Sequence, residues 1–178
     1  MKKAFIVAFL MIQLPLFAQY EKQKEQQTVT NNYSLDTFDS ESKILFNFDW
    51  KFQLGPVEGA QEPGFDDSSW RCLTLPHDFQ FEQPWTEDAS LSGRGFKPMC
   101  EGWYRKTFRT DPSWEGKQVY LEFDGIMYIS DVFLNGEKVA SGEYGYIGFE
   151  TEITTYLDFS GDNVIAVYAS SGKANGSS

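Results

Sequence analysis

The chain has 178 residues, a formal net charge of −11 and an aromatic content of 17%. This length suits one domain with extra segments, and so many aromatic rings can fill a substantial buried core. The acidic surface repels phosphate backbones and anionic lipid, which excludes nucleic acid as an expected partner, whereas neutral saccharides remain compatible.

The first 18 residues have the layout of a secretory signal peptide. Lys2 and Lys3 form a basic start, residues 4–14 are uncharged and apolar, and the sequence PLFA precedes Gln19. The apolar run is shorter than the ~20 residues of a membrane span, so an uncleaved anchor is the lesser alternative. We expect cleavage after Ala18, a periplasmic or secreted mature chain, and no membrane association after cleavage.

A flexible segment is expected to follow over residues 19–43, because residues 20–30 are rich in Gln and Lys and lack an apolar period. Ordered structure is predicted over residues 44–178. Strand-like segments follow one another there, separated by turn residues and without long helical periods, which is typical of an all-β sandwich. In chain order they are residues 44–52, 70–75, 103–110, 118–123, 132–134, 137–140, 149–154 and 163–169, with a short helical turn at 155–159.

The sharpest local signal is Asn135-Gly136, which lies between two apolar runs. A type I′ turn needs a positive φ at both central positions, and Asn-Gly meets that need best. The sequence therefore predicts a two-residue β-hairpin here. By contrast, residues 80–100 contain two prolines and two glycines and are predicted to form a long loop, a feature that in compact domains often has a function.

Two cysteines, Cys72 and Cys100, leave two alternatives open. An oxidising compartment permits a disulfide between them, and two unpaired thiols are the other possibility. Neither their spacing nor His77, the one histidine of the sequence, forms a metal-binding signature. We therefore expect neither a metal nor another cofactor.

Several linked motifs resemble one family when they are taken in order. The chain carries FNFDWKF at 46–52, FDDSSW at 65–70, LPHD at 75–78, GWYRKTF at 102–108, FDGI at 123–126, VFLNG at 132–136, GYIGF at 145–149 and NVIAV at 163–167. This series resembles the N-terminal sugar-binding domain of glycoside hydrolase family 2, which includes β-galactosidases, β-mannosidases and β-glucuronidases. The resemblance covers residues 44–169 and implies a jelly-roll, galactose-binding-like β-sandwich.

The resemblance also implies what lies outside these residues. In the family, an immunoglobulin-like domain and a barrel follow, and the barrel carries two catalytic glutamates. No residue here matches either glutamate, so no catalytic residue is assigned, and the missing downstream domains of the same enzyme are expected partners beside a saccharide. The family's closing strand, after an Arg-Trp-Tyr-like motif, also has no counterpart, so we expect a sandwich without its last strand. A freestanding carbohydrate-binding module and a structural domain without a ligand are the alternatives.

Because loops of this domain help to close the sugar pocket in some family members, the resemblance implies carbohydrate-contact candidates. They are Trp85, Arg94, Lys97, Trp103, Glu143 and Tyr146. Trp103 could equally fill the core, since strand aromatics commonly do so. The charged candidates could be ordinary loop charges.

Two further motifs have competing interpretations. Asp66 and Asp67 could bind calcium or could form a turn with hydrogen bonds to the backbone, and the turn is favoured because two carboxylates make too small a ligand set. His77 and Asp78 could form a catalytic dyad, but no motif supplies a nucleophile, which favours a structural turn.

Overall fold

The computed structural model describes residues 3–8, 42–88 and 95–172. Ten strands lie in these ranges: β1 Lys3–Ala8, β2 Ser42–Leu45, β3 Trp50–Leu54, β4 Arg71–Leu73, β5 Glu101–Phe108, β6 Gln118–Phe123, β7 Ile129–Leu134, β8 Glu137–Gly142, β9 Phe149–Glu152 and β10 Asn163–Ser170. Two short 3-10 helices, Pro112–Trp114 and Thr154–Tyr156, complete the described elements. None of the helices in these ranges has the length and apolar character needed to cross a membrane.

The strands form two sheets, and the all-β expectation is confirmed. The six-stranded sheet has the order β4-β3-β5-β10-β7-β8, and the four-stranded sheet has the order β2-β1-β6-β9. Every pairing in the six-stranded sheet is antiparallel. In the four-stranded sheet, β1 pairs in parallel with both β2 and β6, while β6 and β9 are antiparallel.

The main core lies between the two sheets, because alternate residues of each sheet point to the same interior. On β6 the buried positions are Val119, Leu121 and Phe123, which are at most 2% exposed. They belong to one cluster with residues of the six-stranded sheet, including Val132 and Ile165. The alternation predicted for residues 118–123 is therefore confirmed.

A second cluster covers the outer face of the six-stranded sheet. Trp70, Trp103 and Ala166 pack there with Ala60, and the half-buried Phe65 and Tyr168 lie against them. The central strand β10 is consequently buried on both faces over most of its length. A strand covered on both sides reads as a continuous apolar run, and this explains the sequence NVIAV.

Arg105 fixes the 59–69 loop that carries this outer cluster. Its side chain is 1% exposed, and its Nε donates a hydrogen bond to Asp67 Oδ2 at 2.9 Å. The guanidinium also donates to the carbonyl oxygens of Ala60 and Glu62. Lys51 forms a second ion pair with Asp67 at 2.5 Å. Because three residues of the loop accept hydrogen bonds from one buried guanidinium, the loop is held by electrostatics as well as by packing.

The Asn-Gly hairpin is confirmed between β7 and β8. Asn135 and Gly136 have φ values of 53° and 88°, as a type I′ turn requires. The Asn135 side chain donates to the Tyr156 carbonyl and to Asn163 Oδ1, both at 2.9 Å. The turn is thus bonded to the second 3-10 helix and to the start of β10.

Other boundaries differ from the predictions for identifiable reasons. The continuous run predicted over 44–52 is divided, because Phe46, Asn47 and Phe48 are buried between β2 and β3 and do not pair as a strand. The segment 70–75 contains a strand of only three residues, since it lies at the sheet edge. β1 falls within the expected leader, where the sequence had predicted no strand of the sandwich.

Candidate functional site

One end of the six-stranded sheet gathers most of the loops that carry the predicted carbohydrate contacts. The strand register places Glu101 opposite Ser170, Ser170 opposite Ile129, and Ser130 opposite Gly142. The segments 95–100, 124–128 and 143–148 therefore all begin or finish at the same end of the strands. We call this end the loop end. The opposite end of the strands, where Phe108, Leu134 and Asn163 lie, is called the far end.

Trp85 and Lys97 come together in the 80–100 loop. Trp85 is 70% exposed, and the Lys97 ammonium lies 4.4 Å from the centre of its ring. The same ammonium lies 5.4 Å from the Phe81 ring and donates hydrogen bonds to the carbonyl oxygens of Phe81 and Gln83. Lys97 thus holds the exposed rings of Phe81 and Trp85 close together through cation–π contacts. The flat apolar faces of such rings can stack on the C–H groups of a sugar.

A second exposed aromatic group lies in the 143–148 segment. Tyr146 is 71% exposed and Tyr144 56%, and their rings are 5.8 Å apart in an edge-to-face arrangement. Glu143 is exposed beside them. The segment packs closely on its neighbour, because a Cβ added at Gly145 would lie 2.7 Å from Met127 Cα. Glycine is therefore required at position 145, and it allows the tyrosines to be held at the loop end.

The other predicted contacts have different surroundings. Trp103 is 9% exposed and packs in the second cluster, with its ring 5.4 Å from that of Tyr168, which is the surrounding expected of a core residue. Arg94 lies outside the described residues. Trp85 and Lys97 form one group, and Glu143 and Tyr146 form another.

Sequence reasoning did not single out the cluster around His77. Arg71 Nη2 donates to Glu82 Oε2 at 2.8 Å and to His77 Nε2 at 2.9 Å. Because an arginine can only donate, Nε2 is the accepting nitrogen and the Nδ1 proton faces the Tyr104 hydroxyl, 2.8 Å away. Burial lowers the pKa of His77, which agrees with a neutral ring, although the Glu82 carboxylate, with Oε1 3.2 Å from Nε2, favours the protonated form.

This cluster has a structural role and borders a groove. His77 joins the LPHD turn to β5 through Tyr104, whose pKa is raised well above its ordinary value by burial. The structural interpretation of His77 thus fits its contacts. Beside it, a groove of about 300 Å³ is lined by Phe52, Gln53, Leu54, Ser69, Arg71 and Glu82. The sequence did not reveal the contact of His77 with Tyr104, because the two residues lie 27 positions apart.

The carboxylates near these features are engaged in local structure. Asp66 accepts the Ser68 backbone N–H at 3.0 Å, which lowers the Asp66 pKa and matches the predicted turn. At the loop end, burial and then the neighbouring charge of Glu122 raise the pKa of Asp124. Glu101 accepts a hydrogen bond from Tyr168, whose pKa rises to about 12 through burial and this bond. In the described ranges, no group of three His, Cys, Asp or Glu residues could hold a metal ion.

The two cysteines are free thiols in this structure. Cys72 is exposed on β4, whereas Cys100 is half-buried just before β5. Burial raises the pKa of the Cys100 thiol, although a hydrogen bond from Ser171 opposes the shift. A raised pKa lowers the thiolate fraction and therefore the reactivity of Cys100.

Comparison with known proteins agrees with the sandwich and the motif series. Residues 82–177 match the family described as glycosyl hydrolase 2 galactose-binding domain-like. β-Galactosidase BoGH2A of Bacteroides ovatus is 46% identical over 123 residues, which cover 68% of this chain and 14% of that protein. A β-glucuronidase of Formosa agariphila is 32% identical, covering 68% of this chain and 13% of that protein.

Solved structures show the same partial relationship. A glycosyl hydrolase family 2 member from Bacteroides cellulosilyticus superposes with a TM-score of 0.67 at 38% identity, covering 71% of this chain and 17% of that structure. A β-glycosidase from Bacteroides vulgatus gives a TM-score of 0.65 at 37% identity, covering 69% and 16%. The chain thus spans less than one fifth of these relatives and matches their N-terminal part. It belongs to the galactose-binding-like N-terminal domain family of glycoside hydrolase family 2.

Proposed function

We propose that this chain is the non-catalytic recognition and support domain of a secreted β-glycosidase. Its loop end contributes to the rim of a sugar pocket whose reacting groups lie in downstream domains of the same enzyme. The signal-peptide layout of residues 1–18 supports secretion, with cleavage after Ala18. The names of the relatives, β-galactosidase and β-glucuronidase, support a neutral or acidic glycoside as the substrate class.

The observation that carries this proposal is the pair of exposed aromatic groups. Trp85 and Tyr146 are each about 70% exposed. Exposed rings of this size cost solvation free energy, and saccharides offer C–H faces that cover them. Both rings are positioned by neighbours, Trp85 by Lys97 and Tyr146 by Tyr144, so a ligand would meet preformed surfaces. Preorganised surfaces of this kind reduce the entropy cost of binding.

The carboxylates support a non-catalytic role for the chain alone. Retaining hydrolysis needs two carboxyl groups about 5 Å apart across the glycosidic bond. Asp67 instead forms ion pairs with Lys51 and Arg105. Glu82 forms an ion pair with Arg71. Hydrogen bonds from these cations outweigh burial and lower both pKa values, which keeps both groups ionised and unsuited to act as a general acid.

Two experiments test the proposal. The purified chain should show no turnover of chromogenic β-galactosides, β-mannosides or β-glucuronides, and measurable hydrolysis would overturn the non-catalytic role. For the pocket rim, residues 42–172 replace the matching region of BoGH2A, and KM for a β-galactoside is measured. Trp85→Ala and Tyr146→Ala should each raise KM about two- to tenfold through the lost ring contact.

Tyr156→Ala is the matched control, because Tyr156 is 39% exposed in the second 3-10 helix near the far end. This variant should leave KM unchanged. Equal effects of all three substitutions, or none, would argue against a sugar-contacting loop end. Secretion is tested separately by mass spectrometry of the exported protein, whose first residue should be Gln19.

A further inference from the structure

The relatives of this chain leave the charge of the substrate open, because they include enzymes named for a neutral sugar and for an acidic one. The two kinds of sugar differ at C6, where a uronic acid carries a carboxylate. Proteins bind a carboxylate through charge-assisted hydrogen bonds, most often from Arg or Lys. The charges at the loop end therefore bear on the substrate class of the proposed function, on which this inference rests.

Acidic residues outnumber basic ones in the described segments of the loop end, which are residues 80–88, 95–100, 124–128 and 143–148. Lys97 is the one cation of that set. The acidic residues of the set are Glu82, Glu87, Asp88, Asp124 and Glu143. Glu82 is compensated by its ion pair with Arg71 at 2.8 Å. By contrast, Glu87, Asp124 and Glu143 are exposed and form no ion pair within the described part of the chain.

Lys97 has no donor left for the carboxylate of a ligand. An ammonium group has three N–H donors. Lys97 donates hydrogen bonds to the carbonyl oxygens of Phe81 and Gln83, and its nitrogen lies 4.4 Å from the centre of the Trp85 ring. A carboxylate would reach this nitrogen only by displacing a contact that holds the loop together. Lys97 therefore positions Trp85, and the cation–π contact leaves the opposite face of that ring for a ligand.

Arg71 is also engaged, through the same carboxylate that joins it to the 80–100 loop. Its Nη2 donates to Glu82 Oε2 at 2.8 Å and to His77 Nε2 at 2.9 Å. A ligand carboxylate that bound the other guanidinium nitrogens would lie beside Glu82, and the two like charges would repel each other. Replacing Glu82 would free the loop from Arg71. Neither route favours a uronate.

Unpaired carboxylates lie next to both groups of exposed rings. Glu87 follows Trp85 by two positions, and both side chains are exposed. Glu143 precedes Tyr146 by three positions, and these side chains are exposed as well. A sugar that stacks on either ring therefore approaches a carboxylate that no cation compensates.

Asp124 adds a third negative charge beside the tyrosine group. Its segment packs against residues 143–148, because a Cβ added at Gly148 would lie 3.3 Å from Asp124 Cα. The pKa of Asp124 is raised by burial and then by the charge of Glu122, although Lys43 opposes the shift. A raised carboxyl pKa is the behaviour expected where negative charge accumulates.

We propose that the loop end selects neutral pyranosides and excludes uronates, because its exposed aromatic faces are surrounded by uncompensated carboxylates. The rings of Trp85 and Tyr146 accept the C–H face of either sugar. A like charge at about 8 Å weakens binding about twofold in water at low ionic strength, so three of them weaken the binding of a uronate about five- to tenfold. The enzyme that carries this domain therefore acts on a neutral glycoside.

The first test compares three ligands that differ only at C6. They are methyl β-D-galactoside, methyl β-D-galacturonoside and the uncharged amide of the latter, which matches the uronate in size. Each is titrated into the full chain in about 10 mM salt, and the amide-proton shifts of Trp85 and Tyr146 give Kd. The galactoside and the amide should bind alike, and the uronate about five- to tenfold more weakly. In about 0.5 M salt the difference should fall below about twofold.

Charge variants locate the origin of the selectivity. Glu87→Gln combined with Glu143→Gln should bring the Kd of the uronate within about threefold of that of the amide. Glu115→Gln combined with Glu137→Gln is the matched control, because it removes the same charge from exposed positions away from the loop end. Glu137 adjoins the far end, opposite Leu134, and Glu115 follows the first 3-10 helix. The control should leave the ratio of the two Kd values unchanged.

Arg94→Gln tests the cation of the 80–100 loop that lies outside the described residues. The uronate should remain the weaker ligand in this variant. If the substitution weakened the binding of the uronate and left that of the amide unchanged, Arg94 would bind a uronate and the proposal would be wrong.

The second test needs no bound sugar. Two nitroxides of the same shape, one with a carboxylate and one with a carboxamide, are added separately to the full chain, and the relaxation of the amide protons is measured. The ratio of the carboxylate effect to the carboxamide effect should be at least about twofold lower at Trp85 and Tyr146 than at the far end. The probes thereby report the local charge directly.

The two tests separate this inference from the proposed function. Shifts with no sugar at all would count against a sugar-contacting loop end, and the nitroxide ratio would still test the selectivity. Equal binding of the uronate and the amide, or a nitroxide ratio as high at the loop end as at the far end, would overturn the selectivity while leaving sugar contact intact.

Discussion

The two sheets of this domain are stabilised in different ways. The six-stranded sheet is antiparallel throughout, is covered on both faces at its centre, and is fixed to its outer loop by the buried Arg105. In the four-stranded sheet, Lys3–Ala8 lie between β2 and β6, and the sequence predicts that these residues belong to a leader. One sheet is thus complete within residues 50–170, and the other needs a strand from outside them.

The largest loss of stability is expected from replacing Arg105, which joins the six-stranded sheet to its outer loop. Arg105→Met removes one of the two cationic partners of Asp67 and leaves the carbonyl oxygens of Ala60 and Glu62 without this donor. Breaking one side of a buried ion pair costs about 3–5 kcal/mol of unfolding free energy. Urea denaturation measures it. Arg109→Met is the matched control, because its ion pair with Asp162 is exposed and its loss should not move the midpoint measurably. Similar effects of the two variants would contradict the role of Arg105.

A pair of valines sharpens the comparison between the sheets. Val132 of the six-stranded sheet and Val119 of the four-stranded sheet are both 0% exposed. Val132→Ala should cost about 2 kcal/mol of unfolding free energy, from lost burial and the cavity left behind. In the chain starting at Gln19, Val119→Ala should cost about 1 kcal/mol less than Val132→Ala, since β6 is only partly held there. Equal costs would show that the two sheets unfold as one unit.

A side chain at Gly136, in the hairpin at the far end, should lower the free energy of unfolding by about 1–2 kcal/mol. Gly136 has a φ of 88°, and a Cβ added there would lie 3.3 Å from Pro63 Cδ. Gly136→Ala therefore strains the backbone of the turn. Gly64→Ala is the control, because a Cβ at that position meets nothing within 4 Å. Thermal unfolding of both variants measures the difference, and a stable Gly136→Ala protein would contradict the turn geometry.

The smallest expected effect is the pH dependence that His77 adds to the six-stranded sheet. Burial lowers its pKa in the folded protein, so the unfolded chain binds the proton more readily. The stabilisation by neutral His77 is present above the unfolded pKa of about 6.5 and is lost as the pH falls below that value. The urea midpoint should therefore fall between about pH 6.5 and 5. His77→Gln should flatten this slope, and an unchanged slope would assign it to other groups.

Local patterns predicted the elements better than they predicted the contacts. Alternation at residues 118–123 and the Asn-Gly pair gave β6 and the β7–β8 hairpin, because both signals depend on neighbouring residues alone. The Arg105–Asp67 pair and the His77 cluster were not visible, because they join residues 38 and 27 positions apart. Trp103 was left undecided between sugar and core, since a strand sequence does not tell which face a loop will cover.

The boundaries of the first strands show a further limit of sequence reasoning. Residues 44–52 form one apolar run, yet Phe46 to Phe48 connect the two sheets and are buried without belonging to a strand. Apolar residues in a sequence indicate buried positions. A buried connection between two sheets therefore has the same apolar sequence as a buried strand. For the same reason the apolar start of the chain indicated export, although its backbone can also pair as a strand.

The borders of the six-stranded sheet have a consequence for how this domain behaves at high concentration. One border is β4, with only three residues, and the other is β8, where the pairing with β7 is interrupted by a shift between Val132 and Phe133. Short and irregular borders discourage neighbouring molecules from adding strands, so fibril growth should not start on this side. In a chain that starts at Gln19, β6 would lack β1 on one side. Self-association of that chain should therefore start at β6, and a short apolar peptide that pairs with this side of β6 should keep the protein soluble.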